Sequence, residues 1–198
     1  MSKPATKMSK IAQPAPTYNR FRQFLSPGYL MIAVGVILIA VVLVVIVRNT
    51  IAENTVHGDL SIPDTSTSYP NQGQTHIAVG DSHPAYNSNP PTSGWHYVDP
   101  APWGVYTTQL PDETLVHNLE HGGIWMSYKD PNNQDIINQL LDIASKYPSH
   151  IIVEPRPQND SPIAIAAWGQ LLTMDTVNAD VIYSFIRRYR KHGPENVG

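Results

Sequence analysis

The sequence predicts a small α/β or α+β domain, a small mixed sheet with two main packed helices, preceded by one N-terminal transmembrane helix. Three observations carry this prediction. An uninterrupted apolar run, YLMIAVGVILIAVVLVVIV, fills residues 29–47. From Ile124 onward, β-branched and helix-periodic segments follow in the order β-α-β-β-α, as expected of helices packed on a sheet. The chain has 198 residues, of which about 150 follow the apolar run, enough for one hydrophobic core.

At 1.5 Å rise per residue the run gives a helix of about 28 Å, close to the hydrocarbon thickness of a lipid bilayer. Lys3, Lys7, Lys10, Arg20 and Arg22 precede it without an acidic residue, and after Arg48 the next lysine or arginine is Lys129. The positive-inside rule then keeps residues 1–28 cytoplasmic as a basic tail and exports everything after the span. The expected product is a single-pass protein of the cell membrane. A cleaved signal peptide is the competing reading, but its apolar core is normally shorter and ends in small residues, whereas this run leads into RNTIAENT. An uncleaved signal anchor fits better.

The formal charge of −3 hides an asymmetry. All 16 acidic residues lie beyond Arg48, against seven lysines and arginines, so the extracytoplasmic part carries about −9 with histidines neutral. That sign is unsuited to a phosphate backbone, and no nucleic-acid partner is expected. With no cysteine in the chain, disulfides, thiolate metal sites and thiol chemistry are excluded.

Residues 48–75 are polar and turn-rich and read as a stalk or an extended cover over the domain that follows, at 76–195. A short strand is expected around Ile77. Between residues 81 and 111, Pro84, Pro90, Pro91, Pro100, Pro102 and Pro111 rule against a helix or central strand. The same stretch holds Tyr86, Trp95, His96, Tyr97, Trp103 and Tyr106, too aromatic for a disordered linker. It reads as a long ordered loop. Trp95, Tyr97 and Trp103 are candidate anchors for a cell-envelope protein partner.

A short helix is expected over Asp112–His121, ended by Gly122 and Gly123, and a strand over Ile124–Tyr128. Asp130 or Asn132 can cap the next helix, whose apolar positions run from Ile136 to Tyr147. His150–Glu154 reads as a strand and Ile163–Leu171 as another with a glycine near its end. A final helix is expected from Val177 to His192; its basic last turn, Arg187 to Lys191, complements the helix dipole.

The chemistry concentrates in VHNLEHGG, residues 116–123. On a helix, His117 and His121 are four apart and share a face, with Glu120 placed to ligate or to orient a ring. The spacing also matches the H-x-x-E-H signature of inverted zinc peptidases, although two glycines directly after His121 leave no room for their long helix. His83 and His96, in the loop before this helix, can complete a histidine shell for copper or zinc. Met126 is a further candidate ligand, as a soft thioether for copper. The function expected is a transition-metal-binding module; a non-enzymatic assembly subunit of an envelope complex is the alternative, and a metallopeptidase a minor one.

Four motifs together carry a family resemblance: P-P-T-S-G-x-H at 90–96, V-H-N-L-E-H-G-G at 116–123, A-A-W-G at 166–169 and G-P-E at 193–195. Over residues 76–195 the chain resembles the DUF3105 family of uncharacterised prokaryotic membrane-anchored proteins. The resemblance implies one N-terminal helix and an outer domain with no settled activity, and places His96, His117, Glu120 and His121 on motif positions.

Overall fold

A computed structural model describes residues 27–55 and 58–195; the basic tail falls almost wholly on residues 1–26, outside those described. The chain divides into two units, residues 1–48 and 49–198. Helix α1 spans Pro27–Thr55. Its Leu30–Arg48 stretch has a mean hydropathy of 3.5 and is not buried by other protein, so it is long and apolar enough to cross a membrane.

The second unit is a mixed α+β fold. In chain order it contains β1 (Thr67–Ser68), β2 (His76–Ile77), β3 (His96–Tyr97), β4 (Gly104–Val105), α2 (Asp112–Glu120) and β5 (Ile124–Tyr128). There follow α3 (Gln134–Ala144), β6 (Ile151–Pro155), β7 (Ile163–Ala167), β8 (Gln170–Met174) and α4 (Ala179–Tyr189). Six strands form one sheet in the order β1-β8-β7-β5-β6-β4, and β2 pairs with β3 in a separate parallel ribbon. Strands β5 and β6, joined through α3, are parallel, while β7 and β8 run antiparallel to their neighbours.

The strand alternation divides two apolar layers. Ile124, Met126, Tyr128, Val153, Ile163 and Ile165 point to the face covered by α3 and α4, where Leu140, Ile143, Ile182, Phe185 and Ile186 meet them. Trp125, Ile152, Ala164, Ala166 and Leu171 point to the other face, against Leu115 and Leu119 of α2 and the aromatic loop. All five residues of β5 are buried, as befits a central strand covered on both sides. The α2 face is the one that carries the site.

Several expectations are corrected in detail. The stretch Ile163–Leu171 is a hairpin rather than one strand: Gly169 takes φ +70° at its turn, a conformation glycine adopts without steric cost, and sends β8 back along β7. Helix α3 is capped by Asn133, whose Oδ1 accepts from the Ile136 amide at 3.2 Å, while Asp130 accepts instead from Asn132 in a tight turn at 2.9 Å. Residues 58–75 lie on the domain. Arg187 donates to the carbonyl of Gly58 at 2.8 Å, Arg188 to those of Leu60 and Ile62, and β1 extends the sheet beside β8. The basic end of α4 thus fastens this cover as well as answering the helix dipole.

Candidate metal centre

Helix α2 is short because its C-terminal turn is overtaken by close packing. Gly122 follows at φ +76°, and a β-carbon there would stand 2.7 Å from the main chain of Lys191. The amide of Lys191 donates to the Gly122 carbonyl at 2.7 Å, and that of Glu195 to the Glu120 carbonyl at 3.1 Å. The C-terminal segment is therefore stitched onto the end of α2. On the other side, the parallel β2–β3 ribbon sets His76 beside His96, and the loop carrying His96 lies over α2.

Four donors converge where these elements meet. His76, His96, His117 and Glu120 each bring one ligand atom to within 4.8 Å of the others. His96 and Glu120 are fully buried, His117 is 5% exposed, and the His76 side chain remains 40% exposed. Nε2 of His96 lies 3.0 Å, and Nε2 of His76 3.6 Å, from Oε2 of Glu120. Two ligands on one tetrahedral zinc ion, at bonds of about 2.0–2.1 Å, stand about 3.3 Å apart. The observed separations bracket that value.

The tautomers are fixed from behind. Nδ1 of His96 donates to the Gly94 carbonyl and Nδ1 of His117 to the Tyr97 carbonyl, both at 2.7 Å. In the neutral ring this leaves Nε2 as the lone-pair nitrogen, turned inward. A backbone acceptor on the far ring nitrogen is the arrangement that orients metal-ligating histidines. Burial pushes the His117 pKa below the ordinary histidine value, and the neighbouring His121 and His96 push the same way, against the opposing effects of the Tyr97 carbonyl and the Glu120 carboxylate. Its neutral, ligating form is favoured accordingly. The other oxygen of Glu120 accepts from Nε2 of Gln74 at 2.7 Å, and Trp168, from the β7–β8 turn, closes edge-on against the His96 ring.

The residues singled out from sequence distribute unequally. His96, His117 and Glu120 lie in the four-donor group, and His121 adjoins it, its Nε2 3.0 Å from that of His117. His83 does not join them: it contacts Glu113 at 3.2 Å and the Pro84 carbonyl at 2.8 Å. Met126 is fully buried in the layer beneath α3 and α4, on the sheet face away from α2, because strand alternation turns it opposite to Trp125. Trp95 and Tyr97 are half-buried, their carbonyls accepting from Tyr86 and His117. Trp103 stacks on His150 at 4.7 Å.

Sequence reasoning missed His76, Gln74 and Glu195 as site residues. His76 lies at the edge of a polar stretch, with no periodicity to tie it to α2; its pairing with His96 brings it in. Glu195 belongs to the G-P-E motif, which by sequence alone carries no chemical role.

A family model described as a protein of unknown function, DUF3105, matches residues 78–198. The chain belongs to the DUF3105 family. No curated protein and no solved structure matches it significantly. The matched DUF3105 region includes His96, His117, Glu120, His121 and Glu195, and starts two residues after His76. The motifs that carried the resemblance are here parts of one assembly: Gly94 and His96 on one wall, α2 on another, Trp168 against His96, and Gly193 and Glu195 at the end of α2.

Proposed function

We propose that this DUF3105 domain is a metal-binding module that takes a divalent transition ion through His76, His96, His117 and Glu120. The observation that carries the reading is the inward orientation of the buried Nε2 atoms of His96 and His117, each held by a backbone acceptor on Nδ1, around a fully buried carboxylate. A buried carboxylate 3.0 Å from a lone-pair nitrogen is costly unless a cation or a proton lies between them. Three imidazoles and one carboxylate suit zinc. Met126, the thioether expected to favour copper, lies on the far face of the sheet and does not reach these donors.

One oxygen of Glu120 accepts from Gln74 and the other faces the inward Nε2 of His96 at the proposed ion position, which supports a ligand role over the general-base role that an H-x-x-E-H peptidase requires. We place the module outside the cytoplasm, tethered by α1 as a signal anchor, on the strength of the basic N-terminal flank and the acidic remainder. There it stores, delivers or is stabilised by its ion. The test is metal retention by the full chain, extracted in mild detergent, stripped with chelator and reloaded with zinc or copper. Tight zinc retention that His96→Ala and His117→Ala abolish is the expected result; no retained metal in the unaltered chain would end the reading.

A second reading, an assembly subunit of an envelope complex, draws on Val79 and Val98, exposed at 82% and 59% and bordering one concavity with Tyr97. Crosslinking from position 79 or 98 in intact membranes should yield one discrete adduct if this face docks a partner, and a bare monomer if it does not.

A further inference from the structure

We infer that a second metal ion binds beside the first, held by His121, Glu195 and the shared carboxylate of Glu120, so that the site is dinuclear with Glu120 as the bridge. The inference rests on the metal-binding reading above and extends it to residues outside the four-donor group. Ligand atoms of Glu120, His121 and Glu195 lie within 4.8 Å of one another.

The geometry around His121 suits a ligand as well as an ion pair. Its Nε2 lies 3.3 Å from Oε2 of Glu195 and 3.0 Å from Nε2 of His117. The His117 nitrogen offers a lone pair, because its proton is committed at Nδ1 to Tyr97. With the His117 lone pair given to the first ion, a second divalent cation would lie between the His121 nitrogen and the Glu195 carboxylate, whose 3.3 Å separation matches the ligand–ligand edge of about 3.3 Å for a tetrahedral zinc ion.

Glu195 is not placed there by chance exposure. A β-carbon at Gly193 would stand 2.0 Å from the Glu120 carbonyl oxygen, so only glycine lets the chain approach this closely, and the Glu195 amide bonds to that same oxygen. The carboxylate is thereby delivered to His121 on a pinned segment. Glu195 remains 48% exposed and His121 17% exposed, against full burial of Glu120 and His96. The second ion is therefore solvent-accessible and the more weakly held. A carboxylate that spans two ions is a familiar element of two-metal sites.

The experiment is zinc titration of the chelator-stripped full chain in detergent, by equilibrium dialysis. Two ions per chain are expected, the second and more exposed one bound more weakly. Glu195→Gln and His121→Ala should each lower the capacity to one ion while leaving the tighter one in place. A capacity of one in the unaltered chain, lost with His96→Ala, overturns the second position and leaves the first reading intact. A capacity of two that survives both Glu195→Gln and His121→Ala also overturns it. No binding at all overturns both. Loading with two equivalents of Cu²⁺ adds a proximity test: a spin-coupled resonance spectrum supports the bridge, and two uncoupled signals refute it.

Discussion

Gly193 abuts Glu120 so closely that a β-carbon on it would stand 2.0 Å from the Glu120 carbonyl oxygen. The end of the domain is thus locked to the end of the helix that carries His117 and Glu120. Gly193→Ala should push the C-terminal segment off α2 and cost about 1–3 kcal/mol, the usual range for overpacking. Glu195 leaves with it. The expected outcome is a lowered denaturation midpoint together with loss of the weaker zinc ion but not the tighter one; an unchanged midpoint and capacity would show that the close approach is not maintained in solution.

Gln74 reaches the site only through Glu120. Replacing it with alanine removes no metal ligand but frees the carboxylate to rotate, and supporting residues of this kind typically contribute 10–100-fold in affinity. Gln74→Ala is expected to weaken zinc binding within about that range without altering stoichiometry. Competition against a chelator of known affinity measures it, and an affinity equal to that of the unaltered chain would contradict the role assigned.

Glu154 is buried and accepts from Trp125 Nε1 at 3.1 Å and from the Leu110 amide at 2.7 Å. Burial pushes its carboxyl from 4.5 up to about 7, with Asp112 adding to the rise and Leu110, Trp125 and Arg156 opposing it. Between those values the native state holds a proton that the unfolded chain has released. The stabilisation is fully present below about pH 4.5 and is lost as pH rises through about 7, by roughly 3 kcal/mol if the whole shift is expressed. Glu154→Gln should flatten that slope, at a constant cost of about 1–2 kcal/mol because one donor then faces an NH₂ group. Chemical denaturation at several pH values, compared between the two chains, isolates the Glu154 contribution; parallel curves would refute it.

Arg156 is 3% exposed and donates through Nε and Nη2 to both oxygens of Asp112, at 3.0 and 2.7 Å. It also lies over the Trp125 ring, 5.6 Å from its centre. Asp112→Ala strands that charge, and breaking a buried pair from one side typically costs about 3–5 kcal/mol. We expect a value toward the lower end, since Asn89 and Asn159 still accept from Nη1. Because Asp112 begins α2, zinc affinity should fall as well. A loss under about 1 kcal/mol in a urea melt would mean the pair is solvated.

How much of this was legible beforehand differs by element. The apolar run fixed α1, and helical and strand periodicity located α3, α4, β5 and β6 to within a few residues, because those patterns are local. The β7–β8 hairpin was not seen, since Ile163–Leu171 reads as one apolar run and a single glycine does not announce a reversal. Within the site, His117, Glu120 and His121 were readable because a helix converts spacing into proximity. His96 was found through its loop and motif, without a geometric reason.

Sequence by itself determined the fold class, the family and the α2 donors, all of which depend on residues near one another along the chain. Tertiary structure alone decided which distant donors join them. His76 arrives by strand pairing with His96, and Glu195 by the glycine-mediated closure of the C-terminus on α2. His83 is drawn instead to Glu113, and Met126 is turned away by the two-residue alternation of β5. The physical reason is that a site assembled across an interface of ribbon, helix and chain end depends on packing between segments about 20–80 residues apart, for which no local period exists.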